Sequence, residues 1–246
     1  MTSPLADSFR AALLECRDMD ASLEERLDAF AASVSAINPP FAAAVDRLIG
    51  RLQKANVGDG APGVGEDMPP FYLPDEKGRI VSLSELLKGG PVAVVIHRGH
   101  WCPYCRINTR ALAEARPAIE AAGGKVVAII PDREQYAAII RDEAEADFPV
   151  LTDMDNGYAM SLNLVFWVGE EMRALMLAAG LDLPEYQGSE SWMVPVPATF
   201  VVGRDGRIDA RFVDPDYRKR MTSRACSPRS GPSRLARPTN QRPEAD

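Results

Sequence analysis

Residues 92–106 constrain this chain more than any other stretch. Val92 to Ile96 is a short, unbroken apolar run, the pattern of a strand buried on both faces. Gly99 ends it. Trp101-Cys102-Pro103-Tyr104-Cys105 follows, and Ile107 to Ala122 reads as a helix. A strand that delivers Cys-x-x-Cys to a helix start places two sulfurs one turn apart. The first sits where unpaired N–H groups and the helix dipole favour an anion. Cys102 is therefore expected to ionise below the usual thiol range, and the thiolate is the reactive form. Cys102 and Cys105 are the candidate reactive pair, and motif and flanking pattern agree on redox chemistry.

The rest of the composition narrows the setting. The chain has 246 residues, 46% hydrophobic and 26% charged, as in ordinary water-soluble domains. A formal net charge of −7 argues against nucleic acid as the main partner. No apolar run approaches a membrane span, so no membrane partner is expected. The first ten residues carry neither a basic region nor an apolar core, so the expected location is the cytoplasm. Four cysteines in a chain of this length do not make a disulfide scaffold. In a reducing compartment, a Cys-x-x-Cys is catalytic or metal-binding more often than structural.

Residues 1–56 read as helical. Ser22 and Glu25 fit a capping box. Leu23, Leu27, Phe30, Val34 and Ile37 then recur at helical spacing until Asn38-Pro39-Pro40 stops the helix. A second helix from Phe41 carries Val45, Leu48 and Leu52 on one face. The pair predicts an N-terminal helical hairpin, packed on its own chain or on a second copy in a homodimer. Residues 57–70 are rich in glycine and proline and read as a linker. Residues 71–220 then alternate strands and helices, the signature of βαβ units. Phe71–Leu73 and Ile80–Leu83 predict a strand pair, Lys125–Ile130 a strand, Arg133–Glu145 a helix and Phe148–Leu151 a strand. Asp155–Leu164 predicts a helix that closes the regular alternation. Pro117 is expected to kink the helix after the cysteines. Residues 165–194 read as an insertion near the active face, with a helix from Glu170 to Ala179 and a loop over 183–189. Val196–Val202 and Arg207–Val213 predict a hairpin around Asp205-Gly206. A helix is expected after Asp214–Arg218, but an Arg-, Pro- and Ser-rich run replaces it. Residues 221–246 therefore read as a disordered basic tail, and Cys226 as incidental.

Two segments far apart now speak together: Trp101-Cys102-Pro103-Tyr104-Cys105 and Pro197-Ala198-Thr199-Phe200-Val201-Val202. Over about residues 64–220 the chain resembles the thioredoxin-like superfamily. It is most similar to the peroxiredoxin-like branch of the alkyl hydroperoxide reductase/thiol-specific antioxidant (AhpC/TSA) family. The resemblance implies an α/β thioredoxin-like fold, a central mixed sheet flanked by helices, here with the N-terminal helical hairpin added. It also implies an exposed Cys102, and a cis peptide at Val196–Pro197 facing the sulfurs, with Thr199 just beyond it. The family carries a Thr three residues before its peroxide-reactive cysteine and an arginine on the strand that corresponds to 197–202. Gly99 and Pro197 stand at those positions here. Arg98 and His100 are the candidates to supply charge or donors instead.

The implied chemistry is attack by a Cys102 thiolate on a hydroperoxide or on a disulfide substrate. Cys105 resolves the product, and a thioredoxin-like dithiol acts as reductant. Trp101 shields the pair, and no cofactor is expected. His97 reads as structural and His100 as a proton shuttle. Two other readings compete. His97, His100, Cys102 and Cys105 are four metal-ligand types, although structural zinc sites usually draw pairs from separate segments, so no metal is expected. A redox-sensing, partner-binding protein is the remaining alternative.

Overall fold

The computed structural model describes residues 4–227. Three helices come first: α1 (Pro4–Arg17), α2 (Leu23–Ile37) and α3 (Pro39–Lys54). Ser22 and Glu25 close the expected capping box. Asn38 ends α2 and caps α3 through its side chain, which accepts from the Phe41 N–H. The apolar seams of α2 and α3 are buried within the chain itself. Helices α1 and α2 lie against the helix that follows the cysteines. An added link is the ion pair between buried Arg26 and Glu114, at 2.8 Å.

The second half of the chain folds as β1 (Tyr72–Pro74), β2 (Ile80–Ser82), α4 (Leu83–Gly89), β3 (Val92–Ile96), α5 (Pro103–Ala121), β4 (Lys125–Ile130), α6 (Glu134–Glu143) and β5 (Val150–Thr152). Then come α7 (Gly157–Ser161), β6 (Val165–Trp167), α8 (Glu170–Ala178), α9 (Leu183–Gln187), β7 (Met193–Pro195), β8 (Ala198–Val202) and β9 (Ile208–Val213). The central sheet runs β5-β4-β3-β8-β9. Strands β3, β4 and β5 are parallel, while β8 and β9 join antiparallel. Every residue of β3 and β8 is buried, which explains why both read as continuous apolar runs. The fold is a thioredoxin-like mixed sheet flanked by helices, and it places the cysteine motif at the carboxyl end of its middle strand.

Several expectations need correction. Helix α5 starts at Pro103, ahead of the expected Ile107, because proline's fixed φ suits the first helical position. It continues past Pro117 to Ala121. The expected helix over 155–164 shortens to α7, since Asp155 and Asn156 adopt left-handed φ of 56° and 57°. The Asp153 carboxylate accepts the Tyr158 and Ala159 N–H groups at the α7 start. Within 165–194, β6 and β7 pair antiparallel, and the stretch expected as loop contains α9. That pairing joins residues distant in sequence, and local pattern does not reveal it.

The segment after β9 is turned rather than helical, and Arg218 clamps it. The Arg218 guanidinium grips Asp216 and also reaches Asp46 of α3 at 2.8 Å. Beyond it, Ser223–Cys226 makes a 3-10 turn against α5. Cys226, read as incidental in a disordered tail, is buried there. The remainder of that tail, 228–246, lies outside the described residues. The Gly- and Pro-rich stretch 57–70 holds to the edge of the sheet through Gly65 and Met68, whose N–H groups bond to Ile208 and Gly206 carbonyls. Among the described residues no helix is long and apolar enough to cross a membrane.

Candidate active site

The two sulfurs sit where β3 hands over to α5. Cys102 is the N-cap of α5, and its carbonyl accepts from the Cys105 and Arg106 N–H groups. Gly99 makes the turn with φ +144°. A Cβ there would lie 2.3 Å from Trp101 Nε1 and 2.8 Å from an Asp132 carboxylate oxygen, so only glycine fits. Cys102 and Cys105 lie close enough for each thiol to act on the ionisation of the other. Cys105 Sγ also accepts the Arg98 N–H at 3.4 Å and lies 3.6 Å from Arg220 Nη2.

Contrary to expectation, Cys102 is not exposed: it is 1% accessible and Cys105 0%. The cover is the segment after β9. Tyr217 lies against the Arg98 guanidinium, 3.8 Å from Cζ to ring centroid, and Arg98 also stands 5.0 Å from the Trp101 ring. Tyr217 meets Tyr104 edge-on at 5.8 Å, and Tyr104 meets Phe30 of α2 at 5.2 Å. An aromatic row thus runs from the N-terminal helices to the cysteines.

Burial also redistributes the charge. It raises both thiols, since a buried anion loses its hydration. At Cys105 the Cys102 hydrogen bond, Arg220 and the Arg98 N–H together overcome this and bring the thiol down to about 6. At Cys102, burial and then the bond and charge of Cys105 act in one direction and push it well above the usual range. In this covered arrangement the low thiol is therefore Cys105, not Cys102 as the helix-terminus argument predicts.

The other expected site residues fall into two groups. His100 is beside the motif. Its backbone N–H and ring Nδ1 both meet Asp132 Oδ2, at 2.7 and 2.8 Å. Tyr136 stacks on its ring at 4.5 Å and Tyr186 meets it edge-on at 4.8 Å. Tyr186 comes from α9, so part of the 165–194 stretch does border the active face. His97 turns away, and its Nε2 lies 3.2 Å from Thr109 Oγ1. The four ligand types of the metal reading therefore diverge. Pro197 is buried ahead of β8, and Thr199 is buried within it, opposite Val95 and Phe212. The Val196–Pro197 bond is trans, which corrects the cis expectation. That expectation came from resemblance alone, whereas X–Pro bonds intrinsically favour trans by ~0.5–1 kcal/mol.

Asp132, Tyr217 and Arg220 are the residues that sequence reading missed. Asp132 had a signal: it follows the apolar run of β4, whose carboxyl end lies beside that of β3. Tyr217 and Arg220 had none, because nothing local marks a segment that folds back over a site.

A buried cysteine pair at the α5 start of such a sheet is the arrangement of a thioredoxin-like thiol oxidoreductase. The AhpC/TSA family profile matches residues 64–211, and the chain belongs to the AhpC/TSA family. It is a peroxiredoxin-like, thiol-based antioxidant oxidoreductase. A Mycobacterium tuberculosis protein named among the peroxiredoxins is 28% identical over 144 residues, 58% of this chain and 80% of that protein. The chloroplastic peroxiredoxin Q of Sedum lineare is 33% identical over 92 residues, 37% of this chain and 49% of that protein. Among solved structures, the peroxidoxin BcpB of Mycobacterium tuberculosis superposes with a TM-score of 0.48 at 20% identity, covering 63% of this chain and 90% of that one.

Proposed function

We propose that the enzyme reduces hydroperoxides by a Cys102/Cys105 dithiol–disulfide cycle recharged by a thioredoxin-like dithiol. The observation that carries this is the buried Cys102/Cys105 pair at the α5 N-terminus, with Cys102 as the N-cap. Passing the Cys102 proton to Cys105 puts the charge on Cys102, the sulfur at the helix end. The Cys102 thiolate attacks the terminal peroxide oxygen, forming the S–O bond as the O–O bond breaks. The departing alkoxide or hydroxide takes a proton, and Cys102 is left as a sulfenic acid. In this cycle His100, held by Asp132, delivers that proton. Cys105 then displaces the sulfenic hydroxyl to give the disulfide and water. An external dithiol reduces that disulfide by exchange through a mixed disulfide.

In this reading residues 71–220 carry the chemistry, residues 1–56 brace α5, and Trp101 and Arg98 wall the pair. A reducing cytoplasm suits such a cycle. A second reading, a dithiol reductase of protein disulfides, draws support from Gly99 and Pro197, which replace the Thr and Arg of the family's peroxide cradle.

Peroxide consumption coupled to a thioredoxin system separates the two. The expected result is turnover with hydrogen peroxide or an organic hydroperoxide, abolished in Cys102→Ser. In Cys105→Ser a single equivalent of peroxide is consumed and the sulfenic acid stays. Insulin reduction without peroxide turnover would replace this reading with the second one.

A further inference from the structure

One side chain that meets the inner sulfur comes from far outside the motif. Arg220 Nη2 is 3.6 Å from Cys105 Sγ. Among the described residues it is the one side-chain cation hydrogen-bonded to either sulfur. Its Nη1 is held by the carbonyls of Tyr217 and Lys219, so the guanidinium is fixed by its own turn. The turn is fixed in its place by Arg218 on Asp216 and Asp46. Arg98, by contrast, gives Cys105 its backbone N–H and spends its guanidinium on the faces of Tyr217 and Trp101.

We propose that Arg220 is a catalytic residue of the second half-reaction, holding Cys105 as a thiolate aimed at the Cys102 sulfur. The inference rests on the Cys102/Cys105 exchange but not on which oxidant starts it. When Cys102 is a sulfenic acid, the Cys105 electron pair forms the S–S bond and the S–O bond breaks. The hydroxide takes one proton and leaves as water. When Cys102 is in a mixed disulfide, the same attack forms the S–S bond and expels the substrate thiolate. Either step needs an unprotonated Cys105, and an adjacent guanidinium, always charged, supplies that without taking up a proton.

The titratable and charged groups around the cysteine pair leave few other sources of this charge. Arg98 and Arg220 act on Cys105 itself, while His97, Tyr104 and Tyr217 lie on the Cys102 side of the pair. Burial keeps Tyr104 and Tyr217 protonated and His97 neutral across the neutral range. The two arginines are permanent cations, so the two thiols are the groups that titrate.

The test is a cysteine Cβ NMR titration of carbon-13-labelled protein, wild type against Arg220→Met and Arg220→Lys. The Cys105 midpoint should rise by roughly one pH unit or more in Arg220→Met, the scale of losing one close opposite charge, and stay near wild type in Arg220→Lys. In a paired measurement, one equivalent of hydrogen peroxide is added and sulfenic acid is trapped with dimedone. Arg220→Met should accumulate trapped Cys102, where wild type and Arg220→Lys close to the disulfide. A Cys105 midpoint unmoved in Arg220→Met overturns the inference, as does a shift that Arg220→Lys shares in full. The titration needs no substrate, so failure of the peroxidase reading leaves its result intact.

Discussion

At the scale of single residues, His97 shows how burial sets a protonation state. The Thr109 hydroxyl donates to the Cys105 carbonyl at 2.8 Å, so it accepts from His97 Nε2–H. The imidazole is therefore the neutral Nε2–H tautomer, fully buried with Nδ1 unpartnered. Burial first, and the nearby Arg220 charge second, lower it to about 3. The unfolded chain binds a proton at this histidine below about pH 6.5, and the native state does not until about 3. Stability must then fall with falling pH between those values. From neutrality to pH 5 the loss from this one residue is about 2 kcal/mol. Denaturant unfolding of wild type against His97→Gln measures it, and the variant should lose that part of the slope. An identical slope in both proteins would mean that His97 is charged in the fold. Gly99 is the other residue decided by its surroundings, because Trp101 and Asp132 fill the space where a side chain would begin.

The element that matters most is the strap after β9. It has little regular structure, yet it covers both cysteines and carries Arg220 and Tyr217. Its hold on the site is the Arg98–Tyr217 stack together with the Arg218 ion pairs. Such a segment opens more cheaply than a strand, since few backbone hydrogen bonds tie it to the sheet. Tyr217→Ala removes the stack and about 1–2 kcal/mol of closure, which raises the open fraction ~5–30-fold. Alkylation of Cys102 by iodoacetamide, followed by peptide mass spectrometry, should accelerate by a similar factor. An unchanged rate would show that access to Cys102 does not run through this strap. Cys226, at the far end of the strap, is no competing nucleophile, for burial pushes its thiol up to about 12.

At the scale of the whole molecule, the N-terminal helices and the sheet share one continuous apolar core. Phe30 on α2 is 1% accessible and packs edge-on against Tyr104, which in turn meets Tyr217. Phe30→Ala should cost about 3–5 kcal/mol, the usual range for emptying a buried aromatic position. Thermal unfolding should remain a single transition at lower temperature, since both parts lose the same contact. A separate early transition for the helices, seen by circular dichroism and calorimetry together, would show instead that they fold on their own.

Much of this could be read from local pattern. The apolar runs 92–96 and 125–130 are β3 and β4 to the residue, because strands buried on both faces leave no polar interruption. The Ser22 box and the Asp205-Gly206 turn mark their elements because capping and turn chemistry act within a few residues. The Cys102/Cys105 pair was legible for the same reason, as spacing along one helix turn fixes the proximity of its sulfurs. What no local pattern contains is the environment of that pair. The Asp132 carboxylate under His100, the Tyr217 ring on Arg98 and the Arg220 guanidinium on Cys105 come from 32, 119 and 115 residues away. Those contacts bury the sulfurs and place the low thiol at Cys105 rather than Cys102. The sequence by itself determined which two cysteines stand side by side. The tertiary structure decided which of them carries the charge, because a buried thiolate forms where donors and cations converge, and only the folded chain brings them together.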